Sequence, residues 1–211
     1  YRDAGITIDT YHLPFSPDCN VADPNESKRK EAARILVSRL KKLSALKVRA
    51  VVLHPDGKSN GGSPEDREIC LRKLGRSLEV LLPEIEAADV VLAIENMPAP
   101  NPGARAGATP EFMLSIAETF DHPKLGFCLD TGHAAMAEGT DGARGFFEAM
   151  GDRIFVFHLH DNPGDRDLHL APGHGLFDWN AFFHRVARLG FKGQMTIEAP
   201  PFAPGPPYKI E

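Results

Sequence analysis

The sequence predicts an α/β fold with a parallel sheet or barrel, from the alternation of its segments and the chemistry at their ends. Six short apolar, β-branched stretches (residues 5–12, 49–54, 90–95, 124–130, 153–160 and 194–198) alternate with longer amphipathic ones. Strands separated by helices favour parallel pairing, because each helix carries the chain back to start the next strand in the same direction. Every one of the six stretches also closes on a histidine, aspartate or glutamate.

The first stretch ends at His12 and leads into a Pro- and Asn-bearing segment, residues 14–25, that reads as a functional loop. Residues 28–47 place Ala32, Leu36, Leu40 and Leu43 on one face at helical spacing, and the Lys28-Arg29-Lys30 run that opens them reads as a solvated face. The second stretch ends at His54. Ser63-Pro64-Glu65-Asp66 then marks a helix start, with serine as N-cap and proline at the first helical position. The third stretch ends at Glu95, and a second candidate loop, residues 98–107, separates it from another start signal, Thr109-Pro110-Glu111. After the strand candidates 124–130 and 153–160, Asp178 is placed to cap a last helix through Phe182, Val186 and Leu189, with Gly190 as its stop. Phe146, Phe147, Phe182 and Phe183 sit at helical spacings and are expected in the core, and Trp179 is expected to pack on neighbouring loops. A closed barrel of this kind has eight strands. The expectation is therefore that two N-terminal strand–helix units are absent from the sequence, and that a Pro-rich tail (Pro200, Pro201, Pro204, Pro206, Pro207) stands where a final helix belongs.

Composition narrows the function classes. The 211 residues suit one domain spanning 1–211, and 42% hydrophobic with 25% charged residues is ordinary for a globular protein. No apolar run is long enough to span a bilayer. The balance of 24 basic against 29 acidic residues, net −5, disfavours a partner held through phosphates, so nucleic acid is the weaker expectation. Cys19, Cys70 and Cys128 form neither a disulfide framework nor a CxxC pair, which predicts a reducing, cytoplasmic setting. Self-association is left open.

The strand ends carry the chemistry. In a parallel barrel the C-terminal strand ends converge on one mouth, where active sites are built. Here they are His12, His54, Glu95, Leu129-Asp130-Thr131-Gly132-His133, His158-Leu159-His160-Asp161 and Glu198. Singly, a strand-end histidine is an ordinary core residue, and a strand-end carboxylate is an ordinary helix cap. Six converging polar ends are costly to desolvate without a ligand. A divalent cation supplies one, and mixed His/Asp/Glu shells suit zinc, manganese, iron or cobalt. The loop 161–175 adds Asp167 and His169, two residues apart, with Gly173 and Gly175 free to turn tightly. Arg166 in that loop is a candidate contact for a substrate phosphate or carboxylate.

Taken in order, Leu129-Asp130-Thr131-Gly132-His133, His158-Leu159-His160-Asp161-Asn162, Asp167-Leu168-His169 and Pro172-Gly173-His174-Gly175 resemble the hallmark segments of the sugar phosphate isomerase/epimerase family. The resemblance runs from His12 to Glu198. It implies the xylose isomerase-like TIM barrel, a (β/α)8 fold shared with endonuclease IV. From the ketose epimerases it implies one divalent metal (zinc, manganese or cobalt) on Glu95, Asp130, His158 and Glu198. The two glutamates would act as acid/base groups, and His133 and His54 would face a sugar or polyol substrate. From endonuclease IV it implies three zinc ions: one on His12, His54 and Glu95, one on the four-residue set, and one on His133, Asp167 and His169. A metal-dependent sugar isomerase or epimerase is the leading expectation. An endonuclease IV-like phosphoesterase is the rival, and a related dehydratase shares the same machinery. Two departures stand out. His174 replaces the usual glutamate of a Gly-Glu-Gly segment, and His160 stands where the endonucleases tend to carry asparagine.

Overall fold

The computed structural model describes residues 2–43, 46–57, 60–98 and 101–200. Six strands, β1 Thr10–His12, β2 Ala50–Leu53, β3 Val91–Glu95, β4 Leu125–Asp130, β5 Ile154–Leu159 and β6 Gln194–Ile197, pair in sequence order. Every pairing is parallel. The sheet curls until Thr10 of β1 and Thr196 of β6 bring their hydroxyls within 3.5 Å, so the barrel is nearly closed. All six strand candidates form. The first is shorter than its sequence pattern, three residues where residues 5–12 were expected.

Among the described residues six α-helices lie between the strands: α1 Glu26–Leu43, α2 Pro64–Ala87, α3 Pro110–Thr119, α4 Thr131–Glu138, α5 Arg144–Met150 and α6 Trp179–Leu189. Their starts are chemical. The Ser63 hydroxyl accepts from the Asp66 amide at 3.1 Å, while the Asp66 carboxylate accepts from the Ser63 amide at 3.2 Å, a reciprocal capping box. Thr109 caps α3 and Asp178 caps α6 by the same side-chain acceptance, and Gly190 ends α6 at φ +64°. The helix expected over 28–47 runs Glu26–Leu43. Its Arg29 is buried rather than solvated, donating to Ser77 at 2.8 Å and to Glu26. Helix α4 lacks a strong periodic stripe and was not expected, while α5 carries the helically spaced Phe146 and Phe147 but no start signal in the sequence. Most of the Pro-rich tail, from residue 201 on, lies outside the described residues.

The side-chain period of two divides each strand between two cores. Val51, Leu53, Leu92, Ile94, Phe127, Leu129, Phe157 and Leu159 pack outward against the helices. The alternate positions Ala50, Val52, Ala93, Cys128 and Val156 form a separate cluster inside the barrel. The phase is set at one irregularity: Phe127 pairs with Ile154 but Cys128 pairs with Val156, so β5 carries one extra residue there. Beyond it Asp130 pairs with His158, and both point inward. Phe157 points outward onto Phe147, Phe182 and Phe191, with ring centroids 5.9, 5.2 and 4.5 Å away. Phe183, expected in the core, is 48% exposed, because it lies on the solvent side of α6.

Replacing Phe157 with alanine empties the junction of β5, α5 and α6 and is expected to cost about 3–5 kcal/mol. A urea titration checks this as a lowered midpoint with an unchanged slope.

Candidate metal centre

The inward phase of each strand delivers one ligating side chain to the mouth, two residues beyond a small lumen side chain. Glu95 follows Ala93, Asp130 follows Cys128, His158 follows Val156, and His54 follows Val52. His12 and Glu198 stand likewise beyond Thr10 and Thr196. Nine of the sequence-derived candidates meet there: His12, His54, Glu95, Asp130, His133, His158, Asp167, His169 and Glu198. Arg166 does not join them; it is exposed and donates to its neighbour Asp165 at 3.3 Å. His174 is half-buried and belongs to none of the ligating groups among the described residues.

Glu95 is the hub. It is 1% exposed; one oxygen lies 3.1 Å from both His12 Nε2 and His54 Nε2, and the other lies 2.9 Å from His158 Nδ1. His158 Nδ1 also stands 3.2 Å from a Glu198 oxygen and 3.9 Å from an Asp130 oxygen. On the far side of Asp130, His133 Nε2 lies 3.4 Å and His169 Nε2 lies 3.5 Å from the Asp167 carboxylate. The ligating atoms of Glu95, Asp130, His158 and Glu198 all lie within 4.8 Å of one another, and so do those of His12, His54 and Glu95.

Surrounding groups fix which nitrogen each imidazole presents. His12 Nδ1 is 2.8 Å from the Leu13 carbonyl, His133 Nδ1 is 2.8 Å from the Asn96 carbonyl, and His169 Nδ1 is 2.8 Å from the Glu198 carbonyl. A carbonyl only accepts, so each Nδ1 carries the proton and donates, and in the neutral ring each Nε2 is a bare lone pair facing carboxylates. That is the arrangement of imidazoles that bind a cation. The donor sets, oxygen and nitrogen in shells of three or four, suit zinc, manganese or cobalt. These buried His, Glu and Asp groups fit a divalent metal.

Several residues without an assigned role in the sequence hold the site in shape. Asn96 accepts from the Asp130 amide at 2.7 Å and donates to the Asp130 carbonyl at 3.0 Å, locking the ends of β3 and β4 together. The Thr131 hydroxyl donates to the His160 carbonyl at 2.7 Å and accepts from its amide at 3.0 Å. Asp161 is wholly buried and gathers the loop 161–177, accepting from the amides of Asn162, Gly173 and Phe177 and from the Trp179 indole at 2.8 Å. Trp179 is thus tied to the loop, as expected. Gly175 sits so close to Asp161 that a Cβ would meet its carboxylate at 2.2 Å. A signal for Asn96 was present in its position directly after a strand-end ligand; nothing local marked Thr131.

Electrostatics follow from this crowding. Burial raises the Glu95 pKa, but His158, His12 and His54 overcome it and hold the carboxyl well below its ordinary range. Asp130 is likewise held down, against burial, by His133 and His160. Burial opposes charge on His133, yet Asp130, Asp167 and Glu95 push it up to about 9. The Asp167 bond also lifts His169 to about 9. His12 and His54 diverge. Burial disfavours charge on both rings; for His12 Glu95 outweighs it and the pKa rises, while for His54 burial wins and the pKa falls. Without a cation, protons on His133, His158 and His169 offset the carboxylates.

A cation must displace those protons. Zinc binding to metal-free protein is therefore expected to release protons at pH 7 and to tighten as pH rises toward about 9, where His133 and His169 lose theirs unaided. Calorimetry in two buffers of different ionisation heat measures the release; a buffer-independent heat contradicts it.

A family model described as xylose isomerase-like TIM barrel matches residues 1–210. A solved structure described as a D-tagatose 3-epimerase-like protein shares 28% identity at a TM-score of 0.81, covering 94% of this chain and 73% of that one. An uncharacterized protein of Methanocaldococcus jannaschii is 30% identical over 190 residues, 89% of this chain. The chain spans 62% of that relative's length. A probable endonuclease 4 of Shouchella clausii is 27% identical over 229 residues, 98% of this chain and 74% of that protein. With that match running almost end to end over a barrel of this form, the chain belongs to the xylose isomerase-like TIM barrel family.

Proposed function

We propose that the protein is a metal-dependent isomerase or epimerase of a sugar, sugar phosphate or related polyol. The observation that carries this reading is the inequality of the two glutamates facing His158. The side chain of Glu95 is 1% exposed with both oxygens engaged by imidazoles, whereas that of Glu198 is 25% exposed beside the same ring. A divalent ion held by Glu95, Asp130, His158 and Glu198 supplies Lewis-acid polarisation of a substrate carbonyl. Glu198, reachable from the mouth, removes the proton from the carbon next to that carbonyl. Glu95, held low by three imidazoles, is the weaker base and better ligand; a proton returned from its side would pass through it from His12, whose Nε2 lies 3.1 Å from its outer oxygen. Return to the same carbon gives an epimer; return to its neighbour gives an isomer. The likeness to the D-tagatose 3-epimerase-like structure supports this reading.

A second reading, phosphoester hydrolysis, is favoured by one observation. His12 and His54 occupy the outer oxygen of Glu95, and a further group of ligands surrounds Asp167, so the mouth offers sites for more than one ion. The relative named probable endonuclease 4 points the same way. The net charge of −5 weighs against a nucleic-acid substrate.

Solvent exchange separates the two readings. Metal-loaded protein is expected to wash deuterium from heavy water into the α-carbon of a ketose or ketose phosphate. Glu198→Gln should slow that exchange by about 10²–10⁴-fold while leaving the circular dichroism unchanged. No exchange across a panel of ketoses, together with cleavage of an abasic-site duplex at low salt, would overturn the proposal in favour of the second reading.

A further inference from the structure

His160 is the one imidazole at the mouth that the family resemblance leaves without a role. It is fully buried, two residues beyond His158 on the same inward phase. Its Nε2 lies 2.8 and 3.0 Å from the two oxygens of Asp130, a carboxylate held ionised, so Nε2 carries the proton and donates. Its Nδ1 is buried with no hydrogen-bond partner. In the neutral ring that atom is a bare lone pair, sealed from water, an arrangement that costs free energy unless something accepts it. It faces Asp167, 4.0 Å away, and its ring stacks on His169 at 3.9 Å with planes 7° apart.

We propose that His160 Nδ1 is a fourth protein ligand to a cation held by His133, Asp167 and His169. The ligating atoms of these four residues lie within 4.8 Å of one another. Three further features fit this role. Nε2 donating to a carboxylate while Nδ1 faces the ion is the carboxylate–histidine–metal arrangement that fixes a ring's tautomer and orientation. Gly132 leaves room for the ring, since a Cβ there would meet His160 Cε1 at 2.0 Å. His169 holds its place at φ +49°, a left-handed conformation that costs a non-glycine residue, and such strain persists where surroundings impose it. Three imidazoles and one carboxylate would give a cation four protein ligands, and a shell with no position left open suits a structural rather than a catalytic role. This cation pins the loop bearing Asp167 and His169 against the ends of β4 and β5. His133 then serves as a ligand instead of touching substrate, and the chemistry is left to the Glu95, Asp130, His158 and Glu198 shell.

The inference rests on the metal-centre reading, and the test separates the two. Metal-free protein is titrated with zinc, counting ions per chain and their affinities, for the natural sequence and for His160→Gln. The variant is expected to lose one ion, or to hold it at least about tenfold more weakly, while retaining the ion of the Glu95 shell. Zinc-loaded protein carrying ¹⁵N-labelled histidine gives an answer that needs no variant. In long-range proton–nitrogen spectra His160 should be the ring at this group bound through Nδ1, with His133 and His169 bound through Nε2. Unchanged ion number and affinity in His160→Gln, or a His160 Nδ1 without a metal shift, overturns the role of His160 alone. Natural protein that binds no zinc overturns both readings.

Discussion

The mouth of this barrel depends on a carboxylate, that of Glu95, buried where water cannot reach it. An unpaired buried charge of that kind costs several kcal/mol, so the surroundings must answer it from every side. Here the answer comes from three strands: His12 and His54 on one oxygen and His158 on the other. The same demand recurs at Asp130, which is wholly buried and caps α4 through the His133 amide at 2.8 Å while accepting from His160 Nε2. Two buried carboxylates a strand apart repel each other unless positive charge lies between them. Imidazolium supplies it in the metal-free chain; a divalent ion supplies it more compactly and frees the protons. The shape of the mouth is thus a solution to a desolvation problem before it is an instrument of catalysis.

Much of this was legible in the sequence, because the two strongest signals are local. Alternating apolar runs revealed the strands, and a polar residue at each run's end revealed the mouth. Caps with chemical signatures, Ser63, Thr109 and Asp178, placed three helix starts at the residues where they occur. What escaped was decided by distant partners. Helix α4 is small and largely buried, so it lacks the one-sided stripe that marks an amphipathic helix. Arg29 looks like part of a basic surface run, and only the arrival of Ser77 from α2 explains its burial. Phe183 shares helical spacing with Phe182, but one face of α6 is buried and the other is not.

The site residues divide the same way. Ligand candidates could be named from strand ends because the barrel's geometry makes their convergence general. Asn96, Thr131 and Asp161 act only through backbone groups far along the chain, and no spacing rule announces such contacts. His160 was visible as the point where the chain parts from the endonuclease pattern. Its meaning emerges only when Asp130, Gly132 and His169 are seen around it.

The extra residue where β4 meets β5 has a consequence for how this protein tolerates change. Because the strand period is two, that insertion decides whether His158 or Phe157 looks into the barrel at the level of Asp130. Deleting one residue between 153 and 157 would turn the β5 imidazole toward the helices and an aromatic ring toward the ion. Each side chain would remain in the sequence, and the centre would be gone. Length, here, is constrained more tightly than identity: β5 can exchange one apolar residue for another, but cannot gain or lose one without turning His158 away from the barrel.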